Sequence, residues 1–183
     1  GAAPTARVDA THDDCAGRTG PGRTTANEER QVDEQDLGDD ITTIHATEAQ
    51  IKHRLMEMAA DIDRDYKDRE LLLVGVLKGA VMVMADLARA LHSPVRMDWM
   101  AVSSYGSGTK SSGVVRILKD LDTDLKDQHV LIVEDIIDSG LTLSWLLTNL
   151  KSRGAASVEI CTMLRKPEAA KVDIDVKYVG FDV

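Results

Sequence analysis

The chain has 183 residues, 43% hydrophobic and 29% charged, enough for one compact domain with length to spare. Its 31 acids against 22 lysines and arginines give a net charge of −9, which argues against broad electrostatic binding to nucleic acid or an anionic membrane. Cys15 and Cys161 lack any CxxC or Cys/His spacing, no apolar run approaches the ~20 residues of a membrane span, and no signal-type stretch opens the chain, so neither a disulfide framework nor a structural zinc is expected and the expected compartment is the cytoplasm.

Residues 1–40 hold ten acids against four arginines, with Val8, Val32 and Leu37 as the only large aliphatics. Such a segment cannot bury enough apolar surface to offset its ordering entropy and is expected to be a disordered acidic tail. The domain is expected over 41–183, where 18 basic residues stand against 21 acidic ones. Thr47-Glu48-Ala49-Gln50 has capping-box spacing, and Ile51, Leu55, Met58, Ile62 and Tyr66 recur at helical intervals, predicting an amphipathic helix.

Leu71–Leu77 is a continuous apolar run, the pattern of a buried parallel strand. Lys78-Gly79 interrupts it, and Ala80–Leu91 reads as a helix. Val95–Val102 and Val114–Leu118 read as strands around the polar, Gly/Ser-rich stretch Ser103–Gly113, a mobile flap. Val130–Val133 is another apolar run that ends on Glu134 and Asp135. Leu141–Leu150 reads as a helix, Ser157–Leu164 as a strand and Val176–Phe181 as a last strand. This order predicts an α/β fold with a mostly parallel central sheet flanked by helices. With aromatics at 3%, the pairs Met56/Met58 and Met82/Met84 are expected to fill the core, as are Cys161, Trp99 and Trp145. The histidines at 45, 53, 92 and 129 lack metal spacing and are expected at the surface.

Ligands bind parallel sheets beyond the carboxyl ends of the strands. Three unusual clusters fall there: Lys78-Gly79, Glu134 through Thr142, and Arg165-Lys166. In the second, Gly140 permits close backbone approach, Ser139 and Thr142 carry hydroxyls, and the following helix start offers free N–H groups, which together suit a phosphate. The adjacent acids could hold sugar hydroxyls. Read without further context, the same turn could be a capped strand-to-helix connection with Asp138 or Ser139 as N-cap.

The full string Val130-Leu131-Ile132-Val133-Glu134-Asp135-Ile136-Ile137-Asp138-Ser139-Gly140-Leu141-Thr142 closely resembles the signature with which type I phosphoribosyltransferases bind phosphoribosyl pyrophosphate (PRPP). Leu77-Lys78-Gly79, Ser104-Tyr105, Leu164-Arg165-Lys166-Pro167 and Tyr178–Val183 resemble the hypoxanthine-guanine members, so the likeness runs from about Ile41 to the last residue. It implies the type I phosphoribosyltransferase fold and a purine-salvage activity: transfer of the phosphoribosyl group from PRPP to hypoxanthine or guanine, yielding IMP or GMP and pyrophosphate, with Mg2+ as cofactor. It also implies roles. Glu134 and Asp135 would bind the ribose 2′- and 3′-hydroxyls and, through these or water, the magnesium ion. Asp138, Ser139, Gly140, Leu141 and Thr142 would hold the 5′-phosphate, with Asp138 also the catalytic proton acceptor at purine N7. Lys166 would meet the oxygen at purine C6. Lys78 and Gly79 would contact pyrophosphate in a loop that often holds a cis peptide, and Ser104 and Tyr105 would close over the reacting centre.

The chain ends at Val183, whereas the family's next segment supplies an aromatic residue that stacks on the purine, an Asp near a second magnesium and a basic residue for pyrophosphate. The expectation is a C-terminally incomplete domain. The family also implies a homodimer or homotetramer, with no nucleic acid or membrane partner. The rival readings are a regulatory protein of the same fold that senses PRPP or nucleotide, and an enzyme for xanthine.

Overall fold

Two apolar strands lie side by side at the centre of the sheet: β1 (Leu71–Leu77) and β4 (His129–Ile137), paired in parallel from Leu71↔His129 to Gly75↔Val133. The computed structural model describes residues 43–104 and 115–183. The acidic tail, Tyr105 and the tip of the expected flap lie outside the described residues.

Helix α1 (Glu48–Asp65) begins in the capping box that its sequence predicts: Thr47 Oγ1 accepts from Gln50 N–H, and Gln50 Oε1 accepts from Thr47 N–H. Helix α2 (Val81–Ala90) crosses from β1 to β2 (Val95–Ser104), and α3 (Leu141–Ser152) from β4 to β5 (Ser157–Arg165). Strand β3 (Val115–Lys119) returns antiparallel beside β2, and β6 (Tyr178–Asp182) lies parallel beside β5. The order across the sheet is β3-β2-β1-β4-β5-β6. Successive strands are therefore added leftward from β1 and rightward from β4. The switch in direction opens a crevice at the carboxyl ends of β1 and β4, which is where parallel sheets take ligands.

Strand alternation divides the core between the two faces. Leu72, Val74, Val130, Ile132 and Ile160 face α3, where Leu143, Leu146 and Leu150 cover them. Leu73, Leu131, Val133 and Cys161 face α1 and α2, against Met58, Ile62, Met84 and Leu87. Each fully buried aliphatic of this kind contributes roughly 1.5–3 kcal/mol over its exposed state. Arg54 ties α1 to the outermost described strand on that side, donating to Val179 O at 2.8 Å and Gly180 O at 3.2 Å. Asp98 fastens the start of the β3–β4 connection. Its Oδ2 accepts from the N–H groups of Asp122 and Thr123, both at 2.9 Å, and its Oδ1 from Trp99 N–H at 2.7 Å.

Several expectations need correction. β4 does not stop at the acids but runs three residues past Glu134 to Ile137, because the sheet still pairs Ile136↔Leu164 and Ile137↔Arg165. The last strand starts at Tyr178, and Val176 belongs to the connection before it. Only one Met of each pair is core: Met58 and Met84 are buried, whereas Met56 and Met82 point outward from their helices. His129 is half-buried, with its Nδ1 2.8 Å from Ser157 Oγ.

Candidate active site

The crevice is built from three strand ends. After β1, the Leu77–Lys78 peptide is cis, and Lys78 and Gly79 are exposed. Ala80 N–H then returns to Val76 O at 3.3 Å, turning the chain directly into α2. Asp135, two residues before the end of β4, presses against this turn: a methyl on Gly79 would lie 2.5 Å from Asp135 Oδ2. Asp135 Oδ1 also accepts from Ile136 N–H at 2.8 Å. The first sequence cluster thus meets the second in space, although Gly79 and Glu134 are 55 residues apart in the chain.

Burial, with the neighbouring Asp135 charge, pushes the Glu134 carboxyl up to about 8. Among the described residues it has no hydrogen-bonding partner. A desolvated carboxyl at a crevice floor is a group awaiting a hydroxyl or a cation.

Beyond Ile137 the chain turns at Asp138-Ser139-Gly140. Gly140 has φ +76°, in the left-handed region, and serves as N-cap of α3 without any side-chain cap. The alternative of a turn capped by Asp138 or Ser139 is therefore not what forms. The first amides of α3 take no hydrogen bond from a capping side chain, and they sit at the positive end of the helix dipole, an arrangement suited to an anion.

Two cavities meet on this turn. One, about 210 Å³, is lined by Glu134, Ile136, Ser139, Thr142 and Leu143 together with Ile137, Asp138 and Gly140. The other, about 410 Å³, shares those last three residues and continues along Arg165, Lys166 and the connection after it. Asp138, exposed, is the charged residue common to both. Lys166 is drawn to it by backbone: Lys166 N–H donates to Ile137 O at 2.9 Å.

Of the residues expected from sequence, Glu134, Asp138, Ser139, Gly140, Thr142 and Lys166 line these cavities; Asp135 and Gly79 meet each other across the switch point, and neither they nor Lys78 line either cavity. Leu141 begins α3 but lines neither cavity. Ser104 ends β2, and Tyr105 lies outside the described residues. The sequence reading did not single out Ile137 or the stretch Lys171–Val176, which forms a wall of the larger cavity. A signal for that wall was present, in the apolar/polar alternation Val172-Asp173-Ile174-Asp175-Val176.

A mostly parallel sheet with its crevice at the β1/β4 switch, a glycine turn without a side-chain cap and paired carboxylates form a site suited to a phosphate-bearing ligand. The phosphoribosyl transferase domain family matches residues 40–183, and the protein belongs to that family. Within it, the hypoxanthine-guanine phosphoribosyltransferase of Mycobacterium avium is 53% identical over 150 residues, spanning 79% of this chain and 74% of that one. The enzyme of the same name from Bacillus subtilis is 46% identical, with 79% and 80% covered. A crystal structure of a hypoxanthine phosphoribosyltransferase from Staphylococcus aureus superposes with a TM-score of 0.77 at 40% identity, covering 80% of each chain.

Proposed function

We propose that the protein is a purine-salvage enzyme that transfers the 5-phosphoribosyl group from PRPP to hypoxanthine or guanine, giving IMP or GMP and pyrophosphate. The observation that carries this reading is the meeting of the two cavities at Asp138, one ending on Lys166 and the other on the Gly140 turn.

In this reading the smaller cavity takes the ribose 5-phosphate. Backbone N–H groups from Ser139 to Thr142 hold the phosphate, which explains how a chain with net charge −9 can bind a polyanion. Glu134 and Asp135 accept hydrogen bonds from the ribose 2′- and 3′-hydroxyls. Lys78 and Gly79 contact pyrophosphate, and the roles proposed for Ser104 and Tyr105, closure over the reacting centre against water that would hydrolyse PRPP, fall outside the described side chains.

The larger cavity takes the base. Lys166 donates to the oxygen at C6 but offers no acceptor for the amino group of adenine, and this polarity sets the preference for 6-oxopurines. In the reaction, purine N9 forms a bond to C1 of the ribose while the bond from C1 to the pyrophosphate oxygen breaks. Asp138 takes the ring proton at N7.

The donors present suit a magnesium ion. Glu134 and Asp135 are adjacent carboxylates, the first desolvated, and among the described residues no group of three or more His, Cys, Asp or Glu could hold a metal alone. One or two carboxylates acting together with substrate oxygens and water is the usual way Mg2+ is held. When bound, it would neutralise charge on the departing pyrophosphate.

The same family reading proposes a cytoplasmic setting and a homodimer or homotetramer, for which Val81 and Met82 on α2 and Met97 on β2 offer exposed apolar surface. Among the described residues, no helix is long and apolar enough to cross a membrane.

The test is to incubate the protein with Mg2+ and PRPP and offer hypoxanthine, guanine, xanthine, adenine and uracil separately, following nucleotide formation and PRPP binding together. Product from hypoxanthine or guanine, and none from adenine or uracil, is the expected result. Product from adenine alone, or no PRPP binding, would overturn the reading.

A further inference from the structure

Asp138 is bracketed by two backbone hydrogen bonds from one segment. Lys166 N–H donates to Ile137 O at 2.9 Å, and Lys171 N–H donates to Ser139 O at 3.0 Å. The residues immediately before and after Asp138 are thus both fastened to the connection between β5 and β6.

That connection opens with a short 3-10 turn, Pro167–Ala169, and the residues after it belong to no sheet until β6 begins. Its side chains nevertheless alternate, with Val172, Ile174 and Val176 half-buried and Lys171, Asp173, Asp175 and Lys177 exposed. Ile174 and Val176 pack on the α3-side core. Val172 and Ile174 meet the turn itself: a methyl on Gly140 would lie 3.2 Å from Val172 Cγ2 and 3.4 Å from Ile174 Cδ1. The turn has little of its own to hold it. Gly140 is the freest of residues, and among the described residues the side chains of Asp138 and Ser139 make no hydrogen bond. Its shape is therefore imposed from outside.

We propose that the connection Lys166–Val176 is the positioning element of the turn, with Val172, which also forms part of the wall of the larger cavity, holding Gly140 in place and so aligning the phosphate-binding amides and Asp138. The identity of the ligand rests on the function proposed above; the mechanical coupling does not. Because Lys166 opens the same segment, that segment joins the base-selecting end to the phosphate-binding end. Small misplacements of such an element cost rate out of proportion to stability.

The experiment compares Val172→Ala, Val172→Ile and Ile160→Val with the unaltered protein. Ile160→Val removes a methylene from the same α3-side core, away from the turn, and serves as the matched destabilisation. Steady-state assays give KM for PRPP, KM for hypoxanthine and kcat. Hydrogen exchange without ligand gives the protection of residues 138–143. Val172→Ala is expected to raise KM for PRPP about tenfold and to speed exchange in 138–143. Val172→Ile should keep both near the unaltered values, and Ile160→Val should change neither. Should Val172→Ala fail to fold, Ile174→Val removes only the Cδ1 methyl facing Gly140 and should give the same shifts at smaller amplitude. Unchanged exchange in 138–143 for the truncating variants, or an equal KM shift in Ile160→Val, would overturn the proposal. If the unaltered protein neither binds PRPP nor forms IMP, the proposed function falls, while the exchange comparison still decides whether the connection holds the turn.

Discussion

Gly79 and Asp135 are in contact across the point where the sheet reverses its order, with room between them for a hydrogen and not for a methyl. The loop after β1 and the acidic end of β4 are thus fitted to each other, one lacking a side chain where the other places its carboxylate.

Gly79→Ala should therefore act on the site before it acts on the fold. The added methyl would sit 2.5 Å from Asp135 Oδ2 and push that carboxylate off its position, while Gly79 itself is exposed. The expected outcome is a roughly tenfold or larger loss in kcat/KM for PRPP with the thermal midpoint little changed. Equal losses of activity and stability in parallel assays would contradict it.

Asp138→Asn keeps the shape of the side chain but cannot accept a proton. Turnover should fall by ~10²- to 10⁴-fold, with PRPP affinity retained because the turn binds through its backbone. Calorimetric titration with PRPP alongside single-turnover kinetics checks this. A collapse of affinity with chemistry intact in the bound complex would assign Asp138 a binding role instead.

Lys166→Ala removes the donor to the 6-oxo group. It should raise KM for hypoxanthine and guanine by the loss of a charged hydrogen bond, about 1.5–3 kcal/mol, and leave KM for PRPP nearly unchanged. Competition between hypoxanthine and adenine gives the discrimination directly, and it should narrow. Unaltered discrimination would place base selection elsewhere.

Much of this was legible in the amino acids. The runs Leu71–Leu77 and Val130–Val133 have the pattern of buried strands, and the acids followed by Asp138-Ser139-Gly140 marked the site through their resemblance to the PRPP-binding signature, since the turn by itself reads also as a capped strand-to-helix connection. What stayed hidden depended on partners far along the chain. Ile136 and Ile137 extend β4 only because Leu164 and Arg165 pair with them. Lys171–Lys177 alternates like a strand yet gains no sheet neighbour, so its pattern alone could not reveal that it backs Gly140. Met56 and Met82 share a residue type with the buried Met58 and Met84, and only helical phase separates them.

Asp98 offers a test of the fold without the chemistry. Burial pushes its carboxyl up, but the N–H groups of Trp99, Asp122 and Thr123 outweigh that and hold it below the usual carboxylate range. A carboxyl lowered in the folded state contributes stability that is complete above the unfolded value of ~4 and is lost as pH falls through the folded one. Asp98→Ala strands those N–H groups and should cost about 2–4 kcal/mol in urea unfolding at neutral pH. Its loss of stability on acidification should be shallower than that of the unaltered protein. Parallel curves for the two would mean that Asp98 carries no linkage.

The burial of Cys161 at the centre of β5 gives the molecule an internal clock. Burial pushes its thiol up to about 12, so almost no thiolate exists at neutral pH, and the side chain has no exposed surface through which a reagent could reach it. Alkylation of Cys161, read on the peptide that contains it, must then wait for the sheet to open. Cys161 pairs with Val133, the residue before Glu134. A ligand that grips the crevice will slow that labelling in proportion to how tightly it holds the folded state, whether or not any product is made.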